Sequence, residues 1–134
     1  MSETVNPQGW PRPRGYSNGV AVSVGPHGRL LAIAGQIGWD ERGALAGADI
    51  ASQTAQALRN VMAVLAAANG DAGHLVRLTW YVTDKRAYKA AEKEIGAAYR
   101  QIVGDHYPAM TLVQVADLLE DGALIEIEAT AFIP

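Results

Sequence analysis

Residues 108–133 read PAMTLVQVADLLEDGALIEIEATAFI and decide the fold, because they contain two runs with the alternation of β-strands. In the second run, 124–133, every other residue from Ile125 to Ile133 is apolar, whereas the residues between them include Glu126 and Glu128. Neighbouring side chains of a strand point to opposite faces of the sheet. The pattern therefore predicts a strand with one wholly apolar face and one mixed face that carries both glutamates.

Glu126 and Glu128 are expected to project to the same side, about 6.5 to 7 Å apart at roughly 3.3 Å of rise per residue. The simpler interpretation is a half-buried antiparallel strand whose solvated face carries charge. In the alternative, a glutamate flanked by isoleucine and leucine loses part of its hydration, which raises its pKa and lets it hold or activate a water molecule. This stretch of sequence leaves both interpretations open.

The composition bounds the class of protein. A chain of 134 residues that is 49% hydrophobic predicts one domain with a real core, spanning residues 1–134. The formal net charge is -3, and no cluster of lysine and arginine exceeds a pair, which argues against nucleic-acid binding. No stretch has the pattern of a signal peptide or of a membrane span, so we expect a cytoplasmic protein that does not enter membranes.

Several kinds of reactive site are not predicted. The chain has no cysteine, which excludes disulfides, thiolate nucleophiles and cysteine-ligated metals. The histidines at 27, 74 and 106 are isolated and lack the spacing of a metal-binding motif. The glycines at 35 and 38 match neither a phosphate-binding loop nor a dinucleotide-binding fingerprint. The sequence therefore predicts neither a metal site nor a cofactor.

Residues 1–19 are predicted to form an N-terminal arm. Within it, residues 6–19 contain three prolines and three glycines, a composition that favours extended and turn conformations over regular structure. The same segment holds Trp10, Arg12, Arg14 and Tyr16. Disordered linkers are usually depleted in aromatic residues. We therefore expect the arm to lie on the body of the protein.

The rest of the chain predicts strands and helices in alternation. The predicted elements are strands at 20–24 and 29–34 around a turn, a helix between an N-cap at Asp49 and a C′ residue at Gly70, a strand at 75–83, a helix at 86–103, and strands at 109–115 and 124–133. In the strand at 75–83, alternation predicts an inward set and an outward set: Val76, Leu78, Trp80 and Val82 against Arg77, Thr79 and Tyr81. The Gly-Gln-Ile-Gly sequence at 35–38 indicates a bulge or a close backbone approach, which serves either packing or a ligand.

This β-β-α-β-α-β-β order predicts an α+β fold, with a mixed β-sheet and both helices packed on one face. No element of the chain remains to cover the other face, part of which is apolar. The simplest cover for such a face in a small protein is another subunit, so we expect an oligomer.

Six segments, in the right order around the helices, resemble the RidA (YjgF-like) family of enamine/imine deaminases. They are Arg14–Ser17, Ala34–Ile37, Gln53–Asn69, Val82–Asp84, Tyr107–Ala109 and Ile125–Ala129. The resemblance covers nearly the whole chain. It implies a chorismate-mutase-like fold and a homotrimer whose sheets pack inward into a barrel. It also implies three small-molecule clefts, each between two subunits.

The resemblance also implies roles for single residues. In active members of the family, a glutamate of the last strand positions the hydrolytic water, a tyrosine of the arm lines the cleft, and an arginine after Pro-Ala binds the substrate carboxylate. Carried over, Glu126 is the catalytic residue, while Tyr16 and the backbone of Gly35 contact the substrate. The position of the arginine is occupied by Met110. A thioether cannot replace a bidentate charged clamp, which indicates a divergent branch of the family.

Two functions follow from this comparison and remain open. In the first, the protein is a hydrolase: water held by Glu126 attacks an imine carbon, and ammonia leaves. Its substrates then differ from the usual small 2-iminoacids, or Arg12 or Arg14 replaces the missing arginine. In the second, the same inter-subunit cleft binds a small metabolite or a protein partner without turnover.

Overall fold

The computed structural model describes residues 2–134. The six strands are β1 (Ser2–Val5), β2 (Gly19–Ser23), β3 (Arg29–Ile37), β4 (Leu75–Val82), β5 (Ala109–Gln114) and β6 (Ile125–Ile133). The helices are α1 (Ile50–Ala67), α2 (Lys85–Ala90) and α3 (Glu92–Ile102), and a single 3-10 turn spans Ala72–His74. None of these helices is both long and apolar enough to cross a membrane.

All six strands form one mixed sheet in the order β1-β2-β3-β6-β4-β5. The pair β4 and β5 is parallel, and the other neighbours are antiparallel. Helix α1 packs on β3 and β6, and α3 packs beside α1. The predicted α+β architecture, with its helices on one face of a mixed sheet, is confirmed.

The alternation of β6 positions the core. Its five alternate apolar residues are at most 5% exposed: Ile125, Ile127, Ala129, Ala131 and Ile133. They pack with the buried face of α1, which includes Leu58, Val61 and Leu65. As predicted, Asp49 caps α1, since its side chain accepts a hydrogen bond of 3.0 Å from the Ser52 backbone N–H. The second face of β6, with both glutamates, points away from the helices.

The C-terminus of α1 differs by one residue from the prediction. Asn69, not Gly70, follows the C-cap and adopts the left-handed backbone conformation, with φ of 64°. The Gly70 N–H then donates to the carbonyl of Leu65 at 2.9 Å, which completes a Schellman motif. Gly70 is needed for space, because a Cβ there would lie 2.6 Å from Leu65 Cδ1 and 2.9 Å from Ile133 Cδ1.

Three other predictions need correction. The single helix expected at 86–103 is divided into α2 and α3, because Ala91 leaves helical geometry, with φ of -103° and ψ of 8°. Val76 was expected in the core but is 52% exposed, since the register of β4 against β6 shifts between Leu75 and Arg77 and turns the side chain outward. Strand β1 was not predicted within the arm; it pairs with β2 along the edge of the sheet.

The face of the sheet opposite the helices is open. Leu30 pairs with Val22 on one side and with Phe132 on the other, and these three side chains are 42%, 39% and 38% exposed. Arg77, Thr79 and Tyr81 extend this face along β4, as their alternation predicted. A partly apolar face therefore remains exposed in the single chain.

Candidate functional site

A β-bulge marks the junction of β3 and β6. The register between them shifts between Ile33 and Gln36, so that Ala34 and Gly35 together lie opposite the single residue Glu128. Such a bulge bends its strand and redirects neighbouring side chains, and bulges are frequent beside active sites. The bulge indicated by the sequence at this point is confirmed.

The two glycines of this segment have different uses. A Cβ at Gly35 would lie 2.7 Å from Cδ of Glu126, so the absent side chain leaves room for that carboxylate. A Cβ at Gly38 would instead lie 2.6 Å from the carbonyl oxygen of Gln53 in α1. Gly38 therefore serves helix packing, whereas Gly35 lets the backbone of β3 approach Glu126.

The two glutamates of β6 have different environments. Glu128 is exposed, as the solvated-face interpretation predicts, whereas Glu126 is half-buried between β3 and β4. Partial burial raises the pKa of Glu126, and the nearby charge of Glu128 raises it further. The pKa shift expected from the alternative interpretation is thus present at Glu126. A carboxylate with a raised pKa is a stronger base, so it accepts a proton from water more readily.

Tyr81 on β4 is the cross-strand neighbour of Glu126. Its pKa is raised by burial and then by the two glutamates, with a hydrogen bond to Glu128 among the causes. The phenol therefore stays protonated and can donate to a carboxylate. The alternation of β4 placed Tyr81 on the outward face, but sequence order did not reveal that β4 lies beside β6, so Tyr81 was missed as a site residue.

A second group of predicted site residues lies in the N-terminal arm. Tyr16, which is 48% exposed, and Arg14 line a cavity of about 440 Å³ together with Trp10 and Trp39. The arm is tied to the sheet by an amide chain: the backbone N–H of Asn18 donates to Asn6 at 3.1 Å, and Gln36 donates to Asn18 at 3.3 Å. The arm therefore lies on the body of the protein, as expected.

Met110 lies apart from both groups, on the edge strand β5. In the parallel pair β4 and β5 it is aligned with Leu78, whose side chain is buried under the helices. Met110 therefore projects to the helix side of the sheet, where it lines a cavity with Tyr107 and residues of α3. Glu126, by contrast, projects to the open face.

Within one chain, the predicted site residues thus fall into three groups. Glu126 and Gly35 are in contact, Arg14 and Tyr16 share the cavity of the arm, and Met110 lies apart on the edge strand. Among residues 2–134, no group of three or more histidine or carboxylate side chains could hold a metal ion. Glu126 can therefore act as a general base, and the backbone of Gly35, which carries no side chain, lies directly beside it.

The fold and this site define a class of small α+β proteins. In this chain, the open face of the mixed sheet carries a half-buried carboxylate of the last strand beside a glycine bulge. Residues 11–133 match the family model described as Endoribonuclease L-PSP. The chain belongs to this family, the RidA (YjgF-like) family.

A curated relative and two solved structures are similar over almost the full length. The 2-iminobutanoate/2-iminopropanoate deaminase of Escherichia coli K12 is 33% identical, over 98% of each chain. The structure of E. coli TdcF with bound serine is 28% identical with a TM-score of 0.81, over 98% of this chain and 99% of that one. The E. coli YjgF gene product is 31% identical with a TM-score of 0.77, over 96% and 97% of the two chains.

Proposed function

We propose that the protein is an enamine/imine deaminase that hydrolyses a reactive imine to a carbonyl compound and ammonia. The observation that carries the proposal is the contact between Glu126 and Gly35, which combines a half-buried carboxylate of raised pKa with a partly buried strand bulge. The relative named as a 2-iminobutanoate/2-iminopropanoate deaminase supports this reaction class.

In the proposed mechanism, Glu126 acts as the general base. The ionised carboxylate takes a proton from water as the water oxygen bonds to the imine carbon, and the carbon–nitrogen double bond becomes a single bond. The protonated Glu126 then returns a proton to the nitrogen. Glu126 then takes the proton of the new hydroxyl group and passes it to the same nitrogen; the carbon–nitrogen bond breaks as the carbon–oxygen double bond forms, so that imine and water give carbonyl and ammonia. The raised pKa of Glu126 suits a group that must both accept and return a proton near neutral pH.

The site is proposed to lie between subunits of a homotrimer. Met110 and Glu126 project to opposite faces of one sheet, so a cleft lined by both needs a second copy of the chain. The exposed apolar residues of the open face give such copies a surface to bury. In that cleft, Tyr16 and Arg14 would line the substrate site together with Gly35. The cytoplasmic location stays a prediction.

The substrate is proposed to differ from the usual small 2-iminoacids. Met110 has no charge with which to hold a carboxylate, and an unpaired buried carboxylate costs several kcal/mol. We therefore place the chain in a divergent branch of its family. Arg12 and Arg14 are exposed on the arm, where a small anionic substrate could still find a cation.

Met110 also favours one second candidate, a non-catalytic module that binds a small metabolite or a protein in the same cleft. Ammonia release separates the two functions. Imines are generated from several amino acids by an amino-acid oxidase, and ammonia is followed with and without the protein. Acceleration for at least one imine supports the deaminase. Rates equal to the uncatalysed reaction for every imine would contradict it and favour the binding module.

A further inference from the structure

Two buried side-chain amides meet beside the bulge at Ala34 and Gly35. They belong to Gln36 and Asn18, which are 1% and 3% exposed. Nε2 of Gln36 donates to Asn18 Oδ1 at 3.3 Å and to the carbonyl of Ala34 at 3.1 Å. The backbone carbonyl of Asn18 accepts from the Ala34 N–H at 2.7 Å. Both polar backbone groups of Ala34 are therefore bonded to this pair of residues.

Gln36 lies on the opposite face of the sheet from Glu126. In the pairing of β3 with β6, Gln36 is aligned with Ile127, which is buried under the helices, whereas Glu126 projects to the open face. The two side chains are connected through the backbone of Gly35, which precedes Gln36 in the chain and lies against the Glu126 carboxylate. Gln36 can therefore act on Glu126 through this backbone and not by direct contact.

Asn18 is itself bonded to the N-terminal arm. Its backbone N–H and its Nδ2 group both donate to Oδ1 of Asn6, at 3.1 and 3.0 Å. Asn18 also precedes β2 directly, and its bond to Ala34 extends the β2–β3 ladder one step beyond Gly19 and Ile33. A chain of amides thus runs from the arm through Asn18 to the bulge, and buried networks of this kind favour a single conformation.

The bonding of Gln36 differs from that of Gln53, the other buried glutamine. Nε2 of Gln53 donates to the carbonyls of Gly47 and Gly122, and its Oε1 accepts from the Leu124 N–H at 2.8 Å. Oε1 of Gln36 has no donor among residues 2–134. A buried acceptor without a donor costs stability. The contribution of the Gln36 amide therefore lies in its two donated bonds, one of which lies within the bulge.

We propose that Gln36 and Asn18 are positioning residues: their hydrogen bonds hold the bulge so that the backbone of Gly35 stays against the Glu126 carboxylate. The proposal deepens the proposed deamination and rests on it, because a small misplacement of Glu126 lowers a rate only if Glu126 is the base. The packing of Gly35 against Glu126 can be measured without turnover, so the two proposals can fail separately.

NMR of the Glu126 carboxyl carbon in the isotope-labelled full chain is the first experiment. The titratable groups of the chain that face Glu126 are Tyr81 from β4 and Glu128 from β6, and β3 has none at this point of the pairing. Gln36→Met keeps the length of the side chain and removes its donor. A loosened bulge should let water reach Glu126, so its measured pKa should fall towards the ordinary range.

A second variant and a matched control show whether the bond itself matters. Asn18→Ala removes the acceptor of the same bond and should also lower the pKa of Glu126. The double variant should lower it by less than the sum of the two single changes, because both act through one bond. Gln53→Met makes the same substitution at a glutamine that is 0% exposed and not bonded to the bulge. It should lower Tm but leave the pKa of Glu126 unchanged.

Ammonia release gives the second readout. The kcat should fall at least about tenfold in Gln36→Met and in Asn18→Ala, and it should stay within about twofold of wild type in Gln53→Met. An unchanged pKa of Glu126 in folded Gln36→Met, or an equal change in Gln53→Met, would overturn the proposal. A lowered pKa of Glu126 with unchanged kcat would overturn it as well.

Two further outcomes are also decisive. Should Gln36→Met fail to fold, Asn18→Ala decides by the same two measurements, because it breaks the bond from its other end. Wild-type protein that releases no ammonia from any imine contradicts the deaminase alone, since the NMR titration still shows whether Gln36 holds Gly35 against Glu126.

Discussion

Gly35 in β3 lies directly against the carboxylate of Glu126 in β6, and a Cβ at position 35 would come within 2.7 Å of Glu126 Cδ. The relationship depends on the bulge at Ala34 and Gly35, which lies opposite Glu128, next to the position of Glu126 on the same face of β6. It explains why a glycine stands in the middle of a strand, where it otherwise weakens the sheet. The position of the Glu126 carboxylate is therefore sensitive to any side chain at residue 35.

Gly35→Ala should lower deaminase activity by at least about tenfold, because the methyl group displaces the carboxylate and even a small misplacement of a catalytic group is costly. The measurement is kcat/KM for ammonia release. Gly70→Ala is the matched control, since its Cβ would overlap Leu65 and Ile133, away from the site. Both variants should lose stability, but the folded control should keep its activity. Equal activity of Gly35→Ala and wild type would contradict a role for this contact.

Stability should depend on pH through Glu126. Its folded-state pKa is raised, so the stability that the protonated group contributes is fully present below its unfolded pKa and is lost as pH rises through the folded pKa. Glu126→Gln carries no charge. As pH rises from about 4 to about 7, the wild type should therefore lose stability that the variant keeps. The free energy of unfolding of Glu126→Gln, compared with that of wild type, should be higher at about pH 7 than at about pH 4. Chemical denaturation at both pH values measures the change.

Glu120→Gln, on the exposed loop before β6, is the control for this pH dependence. Its free energy of unfolding should follow that of wild type at both pH values. A difference between Glu126→Gln and wild type that is constant with pH would contradict the raised pKa.

Met110→Arg tests whether the missing cation decides the substrate. If neither Arg12 nor Arg14 reaches the substrate, wild-type turnover of 2-iminopropanoate should be very weak. The new guanidinium should then raise it at least about tenfold, which corresponds to roughly 1.4 kcal/mol of transition-state stabilisation. Steady-state ammonia release measures it, with Met110→Gln as the uncharged control. An efficient wild type that is unaffected by Arg12→Ala, Arg14→Ala or both would refute this account of carboxylate binding.

The assembly should depend on the open face. We expect light scattering after size exclusion to give three times the chain mass of 14.2 kDa. Phe132→Lys places a charge beside Val22 and Leu30. It should lower the fraction of the protein that is trimeric, because an ammonium group is costly to bury. Lys93→Ala, on an exposed position of α3, should leave the mass unchanged. A stable wild-type monomer at micromolar concentration would contradict both the trimer and the shared cleft.

Much of the fold was predictable because it follows from local patterns. The alternation of β6 assigns Ile127 to the core and Glu126 to the other face, and the cap at Asp49 starts α1. Where a long-range contact overrides the local pattern, prediction failed. Val76 is exposed because of a register shift against β6, and the sequence around Ala91 contains no proline or glycine that would announce the end of α2.

The candidate site was predictable only in part. The glycines near Gln36 indicated the bulge, but whether Gly35 faces a ligand, a helix or a glutamate depends on the strand paired with β3. Tyr81 and the cavity beside Met110 likewise depend on strand order and helix packing, which sequence spacing does not determine. The roles of Glu126, Tyr16, Arg14, Gly35 and Met110 in catalysis or binding stay predictions.

Ammonia release by Glu126→Gln, compared with Glu128→Gln, tests the central claim most directly. The first variant keeps the shape of the half-buried side chain but cannot accept a proton, so the account predicts a loss of about 100-fold or more in kcat for an imine that the wild type hydrolyses. The second removes the exposed neighbouring charge and should retain activity within roughly threefold of wild type. The pH profile of its activity should move to lower pH, because the charge of Glu128 raises the pKa of Glu126. Activity of Glu126→Gln within about twofold of wild type would contradict the assignment of Glu126 as the base.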